Sequence, residues 1–265
     1  MIRNIRLYIL MIRVAVLGKM QYKADFLVGL ISVVVLNIVN ISFLAIMVYN
    51  FETLAGWGIW DLMFLYGLWT IGRAIFSLLF WHLYNFETMV VDGTFDAFLI
   101  RPISPFLQLL GRDIGYPGAG DLLVGIVAVA LAKNQLGLQW GLAYWVFFVI
   151  CAISAGLLQL AIIWICSSLS FWTTRSRDAY RIVDRFSVLM QQYPITIFGR
   201  YFQIFVTAIL PVAFLNFYPS MILLGIAGDS VVRWHYFSPV ITLIALSIAV
   251  CVWSIGIRRY TSTGN

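Results

Sequence analysis

The stretch "FLVGLISVVVLNIVNISFLAIMVY", residues Phe26–Tyr49, contains no charged side chain and consists mostly of Val, Ile, Leu, Phe and Met. A helix rises about 1.5 Å per residue, so about 20 apolar residues cross the ~30 Å hydrocarbon core of a bilayer. The stretch therefore predicts a transmembrane helix. Its two asparagines, Asn37 and Asn40, lie three positions apart and share one face of that helix.

Five further apolar runs follow along the chain: Trp60–Trp81, Ile114–Leu131, Leu142–Phe171, Ile195–Phe217 and Tyr236–Ile257. The chain of 265 residues is 62% hydrophobic and only 11% charged, whereas soluble domains are about 25% charged. We therefore expect an all-α integral membrane protein with one domain over residues 1–265, in which residues 26–257 hold six transmembrane helices.

Three segments interrupt this simple pattern. Residues 1–24 carry arginines within an apolar run, which favours an amphipathic interfacial helix on the membrane surface over a first span. Residues 218–235 are too short to cross the bilayer twice and predict an external or re-entrant hairpin. Pro211 lies inside the fifth run, and because a proline frees backbone groups there, we expect a kink at Ala208–Pro211.

The basic residues predict the orientation of the spans. If the N-terminus is cytoplasmic, fourteen of the 17 Lys and Arg residues fall in cytoplasmic segments. This distribution obeys the positive-inside rule. We therefore expect a multi-pass protein of the cytoplasmic (inner) membrane with both termini in the cytoplasm. Because topology accounts for the net charge of +6, we expect no nucleic-acid partner.

Motifs for catalysis are missing from the sequence. The chain has no GxxxxGK[ST], HExxH or GxSxG pattern. Its only histidines, His82 and His235, are far apart in the predicted topology, and its three cysteines are dispersed through apolar runs. Such residues do not form a metal cluster. We therefore expect no enzyme activity and no cofactor or metal on this chain.

The stretch "DGTFDAFLIRPISPFLQLLGRD", Asp92–Asp113, separates the second and third predicted spans and is charged yet half apolar. Phe95, Phe98 and Leu99 follow the spacing i, i+3, i+4 and share one helical face, and two prolines end that helix. The residues alone leave two interpretations open. The segment docks on a cytosolic partner, or it folds onto its own helical bundle.

Several polar residues fall within or beside the predicted spans. Arg73 lies near the middle of the second span, and a charge at that depth costs about 2.5 kcal/mol or more, so it must face protein or water. Arg73, Asp121, Asn37 and Asn40 either line a transport pathway or hold helices together, and Arg73 is also a candidate for binding an anionic headgroup. The basic run Arg175–Arg185 binds anionic lipid, contacts a partner, or only sets topology.

Three stretches together resemble one family. "GTFDAFLIRPISPFLQLLGRD" is similar to the cytoplasmic segment after the second span of ABC-2 type permeases, the membrane subunits of ATP-binding-cassette exporters. "YPITIFGRYFQIFVTAILPVAFLNFYPS" resembles the fifth span of these permeases, and "GIRRYTSTGN" resembles their basic C-terminal end. With six predicted spans and an amphipathic start, the likeness covers nearly the whole chain.

The resemblance implies an ABC-2 type exporter permease fold, and a permease that pairs with a second copy or with a sister permease. Two ABC ATPase subunits would bind ATP and Mg²⁺ and dock on residues 85–112, here called the coupling loop. The candidate coupling residues are Glu87, Asp92, Phe95, Asp96, Phe98, Leu99 and Arg101. A hydrophobic or amphipathic substrate is expected from the family and from the aromatic content of 16%.

Two rival functions follow from the same residues. An ion-coupled carrier predicts buried carboxylates near the middle of the membrane, and only Asp121 comes close to this position. A membrane scaffold would merely recruit cytosolic proteins through the coupling loop. An ATPase encoded beside this chain would favour the exporter over both rivals.

Overall fold

The computed structural model describes residues 10–11, 14, 17–19, 21–111, 115–173, 175–226 and 233–261. These residues are mostly helical and contain no β-strand. Most of the predicted interfacial helix, residues 1–24, lies outside the described residues. The same is true of the central part of the predicted hairpin, residues 218–235.

From Lys23 onward, the described residues form α-helices that we number α1 to α11. They are α1 (Lys23–Phe51), α2 (Ile59–Phe80), α3 (Phe86–Val91), α4 (Asp96–Leu99), α5 (Pro105–Leu110), α6 (Gly118–Gln135), α7 (Leu142–Ser168), α8 (Ser176–Gln192), α9 (Arg200–Ile204), α10 (Phe217–Leu223) and α11 (Ser238–Arg259). Short 3₁₀ turns connect several of them, including Trp81–Asn85 between α2 and α3.

Four helical segments are long and apolar enough to cross a membrane, namely Lys23–Phe51, Ile59–Val91, Leu142–Phe171 and His235–Arg259. They coincide with the first, second, fourth and sixth spans predicted from the sequence. The mean hydropathy of the best window ranges from 1.6 to 2.6 in these segments, which is typical of membrane-spanning helices. The chain is therefore a multi-pass membrane protein.

The third predicted span, Ile114–Leu131, differs from the helix that the structure shows. Helix α6 has 18 residues and ends at Gln135, and it is not among the segments apolar enough to cross a membrane alone. Asp121 in its first turn and Lys133 in its last turn explain this. The helix is held instead by close packing on α2, where a Cβ on Gly125 would lie 3.0 Å from the carbonyl oxygen of Gly67.

The fifth predicted span, Ile195–Phe217, is bent, as the kink expected at Ala208–Pro211 predicts. Its two halves, Arg200–Ile209 and Val212–Leu223, meet at an angle of 79°. The break includes Pro211, within the region where the sequence predicts a kink, and a π-helical turn precedes it. A proline has no N–H to continue the helical hydrogen bonds. If the bent pair is one span, the described residues contain five candidate spans. The six predicted spans are therefore not all confirmed.

Helix α2 lies at the centre of the bundle, whereas α1 lies at its edge. Helix α2 contacts α6, α7 and α8, and side chains such as Phe64 and Leu65 are fully buried. In α1 only Asn37, Leu44 and Val48 are buried. The remaining surface of α1 is apolar and exposed, as expected for a helix that faces lipid or another membrane subunit.

The start of α1 and the end of α11 lie at the same end of the bundle. Tyr116, just after the coupling loop, stacks on Phe26 at the start of α1 with ring centroids 5.1 Å apart. Tyr260, just after α11, donates a hydrogen bond to Asp96 in the coupling loop. We call this end, which contains the coupling loop, the loop end. Because α1 starts and α11 ends at the loop end, the chain between them passes from one end of the bundle to the other an even number of times.

Candidate functional site

The coupling loop is anchored in the bundle by Phe95, which is fully buried. Its ring contacts Phe86, Phe171 and Tyr260 with centroid distances of 5.1, 5.8 and 5.3 Å. This contradicts the expectation that Phe95 anchors an external partner. The physical reason is that Gly93 adopts a positive φ of 69°, a conformation that glycine reaches readily. This turn precedes α4 and places Phe95 against α11.

The outward face of the coupling loop consists of residues that follow Phe95. Phe98 is partly buried against the core, while Leu99 is 41% and Ile100 is 86% exposed. The guanidinium of Arg101 lies 5.9 Å from the centre of the Phe98 ring. The exposed apolar group is therefore Leu99 with Ile100, and the sequence-based site did not include Ile100. The sequence did contain a signal for the exposure of Ile100, because this residue precedes Arg101 and Pro102 and lies outside the i, i+3, i+4 face.

The acidic residues of the coupling loop have different surroundings. Asp92 is exposed, whereas Asp96 accepts a 2.8 Å hydrogen bond from the hydroxyl of Tyr260. Burial, and then this hydrogen bond and the charge of Asp96, raise the pKa of Tyr260 to about 12. Asp96 thus links the loop to the chain end that follows α11.

Glu87 links the coupling loop to helix α8. Its carboxylate accepts hydrogen bonds from the Ser176 hydroxyl at 2.9 Å and from the backbone N–H of Arg177. A carboxylate at a helix N-terminus satisfies unpaired N–H groups and interacts favourably with the helix dipole. The guanidinium of Arg177 in turn donates to Thr88 and, at 3.5 Å, to Asn85. The predicted partner contact of Glu87 is therefore an internal contact in this structure.

The far part of α8 contacts the central helix α2. The indole N–H of Trp69 donates to the Ser187 hydroxyl at 3.1 Å, and the Gln191 amide donates to the Thr70 hydroxyl at 3.2 Å. Both α2 residues lie within about one turn of Arg73. Helix α8 therefore connects the coupling loop to the interior of the bundle.

Four polar residues from three predicted spans converge on one cavity of about 200 Å³. Asn37, Asn40, Arg73 and Asp121 all line it, together with the indole of Trp69. We call it the interior cavity. That this cavity belongs to a transport pathway stays a prediction.

Asn37 holds one wall of the interior cavity together. Its amide N–H donates to Asp121 at 2.8 Å, and its amide oxygen accepts a 2.6 Å hydrogen bond from the Tyr66 hydroxyl. These contacts join α1, α2 and α6, as the packing interpretation requires. The sequence analysis did not include Tyr66, which is a common aromatic residue in an apolar run and carries no distinguishing signal.

Arg73 packs its guanidinium against Trp69, 5.2 Å from the ring centre. Among the described residues, no carboxylate lies within ion-pair distance of it. Arg73 also lines a second cavity of about 320 Å³, which lies at the loop end between α2 and α8. We call this the loop-end cavity.

The described residues contain no group of His, Cys, Asp and Glu side chains that could hold a metal ion. What they contain is a bundle of apolar helices, polar cavities between them, and an anchored polar loop at one end. These features define a polytopic membrane protein.

A family comparison identifies the class more closely. The family described as "ABC-2 family transporter protein" matches residues 15–264. The chain therefore belongs to the ABC-2 transporter family, and it is the membrane permease component of an ABC transporter rather than an enzyme. No curated protein and no solved structure matches the chain.

Proposed function

We propose that this permease exports a hydrophobic or amphipathic substrate across the cytoplasmic (inner) membrane, driven by a separate ABC ATPase subunit that binds ATP and Mg²⁺. The chain pairs with a second copy or with a sister permease. Both of its termini and the loop end face the cytoplasm. The observation that carries this proposal is the anchored coupling loop, which presents Leu99 and Ile100 outward and is tied to α8 by Glu87.

The contacts of the coupling loop suit two roles, binding of the ATPase and transmission of its movement to the helices. Its outer residues are exposed apolar groups beside Arg101, which suits a partner groove with apolar and acidic parts. Its inner residue Phe95 is packed in the bundle, so a partner that pulls on the loop also pulls on the helices. Through Glu87 and α8, this movement reaches Trp69 beside the interior cavity.

The charges at the loop end support the proposed orientation. The basic run of α8 begins at the same end as the coupling loop, and Arg258 and Arg259 end α11 there. Cytoplasmic segments of membrane proteins carry an excess of Lys and Arg. The exposed apolar surface of α1 then provides area for lipid and for the second permease.

The proposal is tested by purifying the chain with the ATPase encoded beside it and measuring ATP-driven transport in vesicles. We expect Ile100→Asp to abolish co-purification and transport, because it places a charge in the apolar contact, while membrane insertion is retained. Ile100→Leu keeps the apolar group and serves as the matched control. Transport by an Ile100→Asp variant at the normal rate would contradict the docking role of this surface.

The same assay separates the proposal from its rivals. Transport that follows an ion gradient without ATP would identify an ion-coupled carrier. An ATPase that binds the loop but drives no transport of any hydrophobic substrate would favour the membrane scaffold.

A further inference from the structure

The residues that line the loop-end cavity include more cations than anions. Arg73, Arg177 and Arg181 line it, and Asp184 is the one carboxylate among the lining residues. Arg73 contacts the face of Trp69, and Arg177 donates to the neutral side chains of Thr88 and Asn85.

Of these three arginines, only Arg181 forms an ion pair with a carboxylate of the described residues. Its partner is Asp178 at 3.4 Å, and both side chains are 64% exposed. An ion pair between two exposed side chains is weak, so Arg181 is free to bind a better anionic partner. Three guanidinium groups therefore face the cavity, and Asp184, with one buried carboxylate oxygen, is the one carboxylate that lines it with them.

The position of Arg73 makes this imbalance informative. It lies within α2, a helix long and apolar enough to span the membrane, and an unpaired charge at such a site is costly. A ligand that supplies an anion would offset that cost. Guanidinium groups form paired hydrogen bonds with phosphate oxygens, so a phosphate group is the chemistry that fits three converging arginines.

The walls of the cavity indicate that the phosphate belongs to an amphiphile. The rings of Trp81, Tyr84 and Tyr180 line the cavity and contact one another, edge to face at 4.8 Å between the centroids of Trp81 and Tyr84 and tilted at 4.7 Å between those of Tyr84 and Tyr180. Trp and Tyr are typical of the depth at which lipid headgroups lie. On the outer side of α8, Ile182 is 58% exposed beside Arg181, which provides an apolar surface next to the cations.

The size of the cavity agrees with a headgroup. About 320 Å³ falls at the lower end of the range of roughly 300 to 1,000 Å³ for small-molecule sites. It holds a phosphate headgroup and leaves the acyl chains outside, against α8 and the bilayer. Arg73 also lines the interior cavity, so a headgroup bound here lies next to the interior of the permease.

We propose that the loop-end cavity is a binding site for the phosphate headgroup of an anionic amphiphile. The further statement that this amphiphile is the transported substrate rests on the proposed export function. The binding site itself does not, because it is a property of this chain alone.

The binding test uses the purified full chain in a neutral detergent, titrated with phosphatidylglycerol, phosphatidylcholine and inorganic phosphate and followed by thermophoresis. We expect phosphatidylglycerol to bind more tightly than the other two. Arg73→Gln, Arg177→Gln and Arg181→Gln should each weaken its binding at least tenfold. Arg185→Gln removes the same charge from α8 outside the cavity and should change binding less than twofold.

Arg181 is exposed, so its variant tests the site even if substitution of Arg73 prevents folding. Equal loss in the Arg185→Gln variant would show binding to general surface charge and would overturn the proposal. Binding of inorganic phosphate as tight as that of phosphatidylglycerol would overturn the assignment to an amphiphile.

A second measurement separates this inference from the proposed function. In vesicles with the ATPase, ATP-driven movement of a labelled anionic phospholipid that is lost in Arg181→Gln supports both. Headgroup binding without any ATP-driven transport would overturn the export function and leave the site. ATP-driven transport of other substrates without headgroup binding would overturn the site and leave the export function.

Discussion

The carboxylate of Glu87 accepts the backbone N–H of Arg177, so the coupling loop provides the N-terminal cap of α8. The cap joins two elements that are distant in sequence. Because α8 also contacts α2 through Ser187 and Gln191, the loop, α8 and the interior cavity form one connected structure. Movement of the loop is therefore expected to change the surroundings of Arg73.

Glu87→Ala is expected to destabilise the protein by about 1 kcal/mol, which is typical for the loss of a helix cap. Glu87→Gln retains a hydrogen-bond acceptor and should cost less. The exposed Asp92→Ala removes a charge from the same loop and should leave stability unchanged. Thermal unfolding of the purified variants, followed by tryptophan fluorescence, measures the difference. If Glu87→Ala and Asp92→Ala unfold at the same temperature, the cap does not contribute.

Phe95 and Ile100 should respond to substitution in opposite ways. Phe95→Ala removes a fully buried ring and is expected to cost about 3 to 5 kcal/mol of stability. Ile100→Ala removes an exposed side chain, so it should change stability by less than about 0.5 kcal/mol and instead weaken binding of the ATPase. Unfolding temperature and co-purification report the two effects separately. If a stably folded Phe95→Leu variant lost ATPase binding, the assignment of stability to Phe95 and of ATPase binding to Ile100 would be wrong.

Length and apolarity were enough to predict α1, α2, α7 and α11. A bilayer selects spans by a property of each segment taken alone, and these segments have it. Helix α6 and the bent pair around Pro211 are held by neighbouring helices, so their bounds depend on packing that a single segment does not show. The closeness of Gly67 and Gly125 is an example, because neither residue reveals its partner.

The sequence was enough to pick out the polar residues that line the interior cavity, but not to predict that they converge on it. Asn37, Asn40, Arg73 and Asp121 stood out because polar groups are costly in a membrane. Their convergence depends on how three helices pack. Trp69 could have been found, since it precedes Arg73 by four positions and so lies on the same face. Gln191 could not, because nothing in the sequence of α8 indicates which helix it contacts.

The sequence could not predict which way the Phe95 ring points, for a related reason. Periodicity predicts that Phe95, Phe98 and Leu99 share one helical face, and the rings of Phe95 and Phe98 do stack at 6.2 Å, but periodicity does not say what covers each side chain. The turn at Gly93 decides that the first ring points into the bundle and that Leu99 points out. The interpretation as a loop folded on its own bundle holds for Phe95, while the docking interpretation remains a prediction for Leu99.

The hydrogen bonds of Asn37 should couple helices α1 and α6 measurably. In a double-mutant cycle of Asn37→Ala and Asp121→Ala, we expect an interaction free energy of about 0.6 kcal/mol and no more than about 1.7 kcal/mol, as found for polar contacts in membrane helices. Ser32 is exposed on α1 and its hydroxyl bonds only within that helix. A control cycle of Ser32→Ala and Asp121→Ala should therefore give no interaction free energy. Unfolding of each variant in mixed detergent measures the cycle, and additive effects of Asn37 and Asp121 would contradict the contact.

The contact between Tyr260 and Asp96 should make stability depend on pH in the alkaline range. Burial and the nearby carboxylate raise the pKa of Tyr260 from 10.0 to about 12, so the folded state favours the neutral phenol. Since the pKa is raised on folding, this contribution is fully present below pH 10 and is lost as the pH rises to about 12. Tyr260→Phe removes it, so the stability difference between wild type and variant should shrink over this pH range. Unfolding temperatures of both proteins, measured between pH 9 and 12, give that difference, and a constant value would show that folding does not raise the pKa of Tyr260.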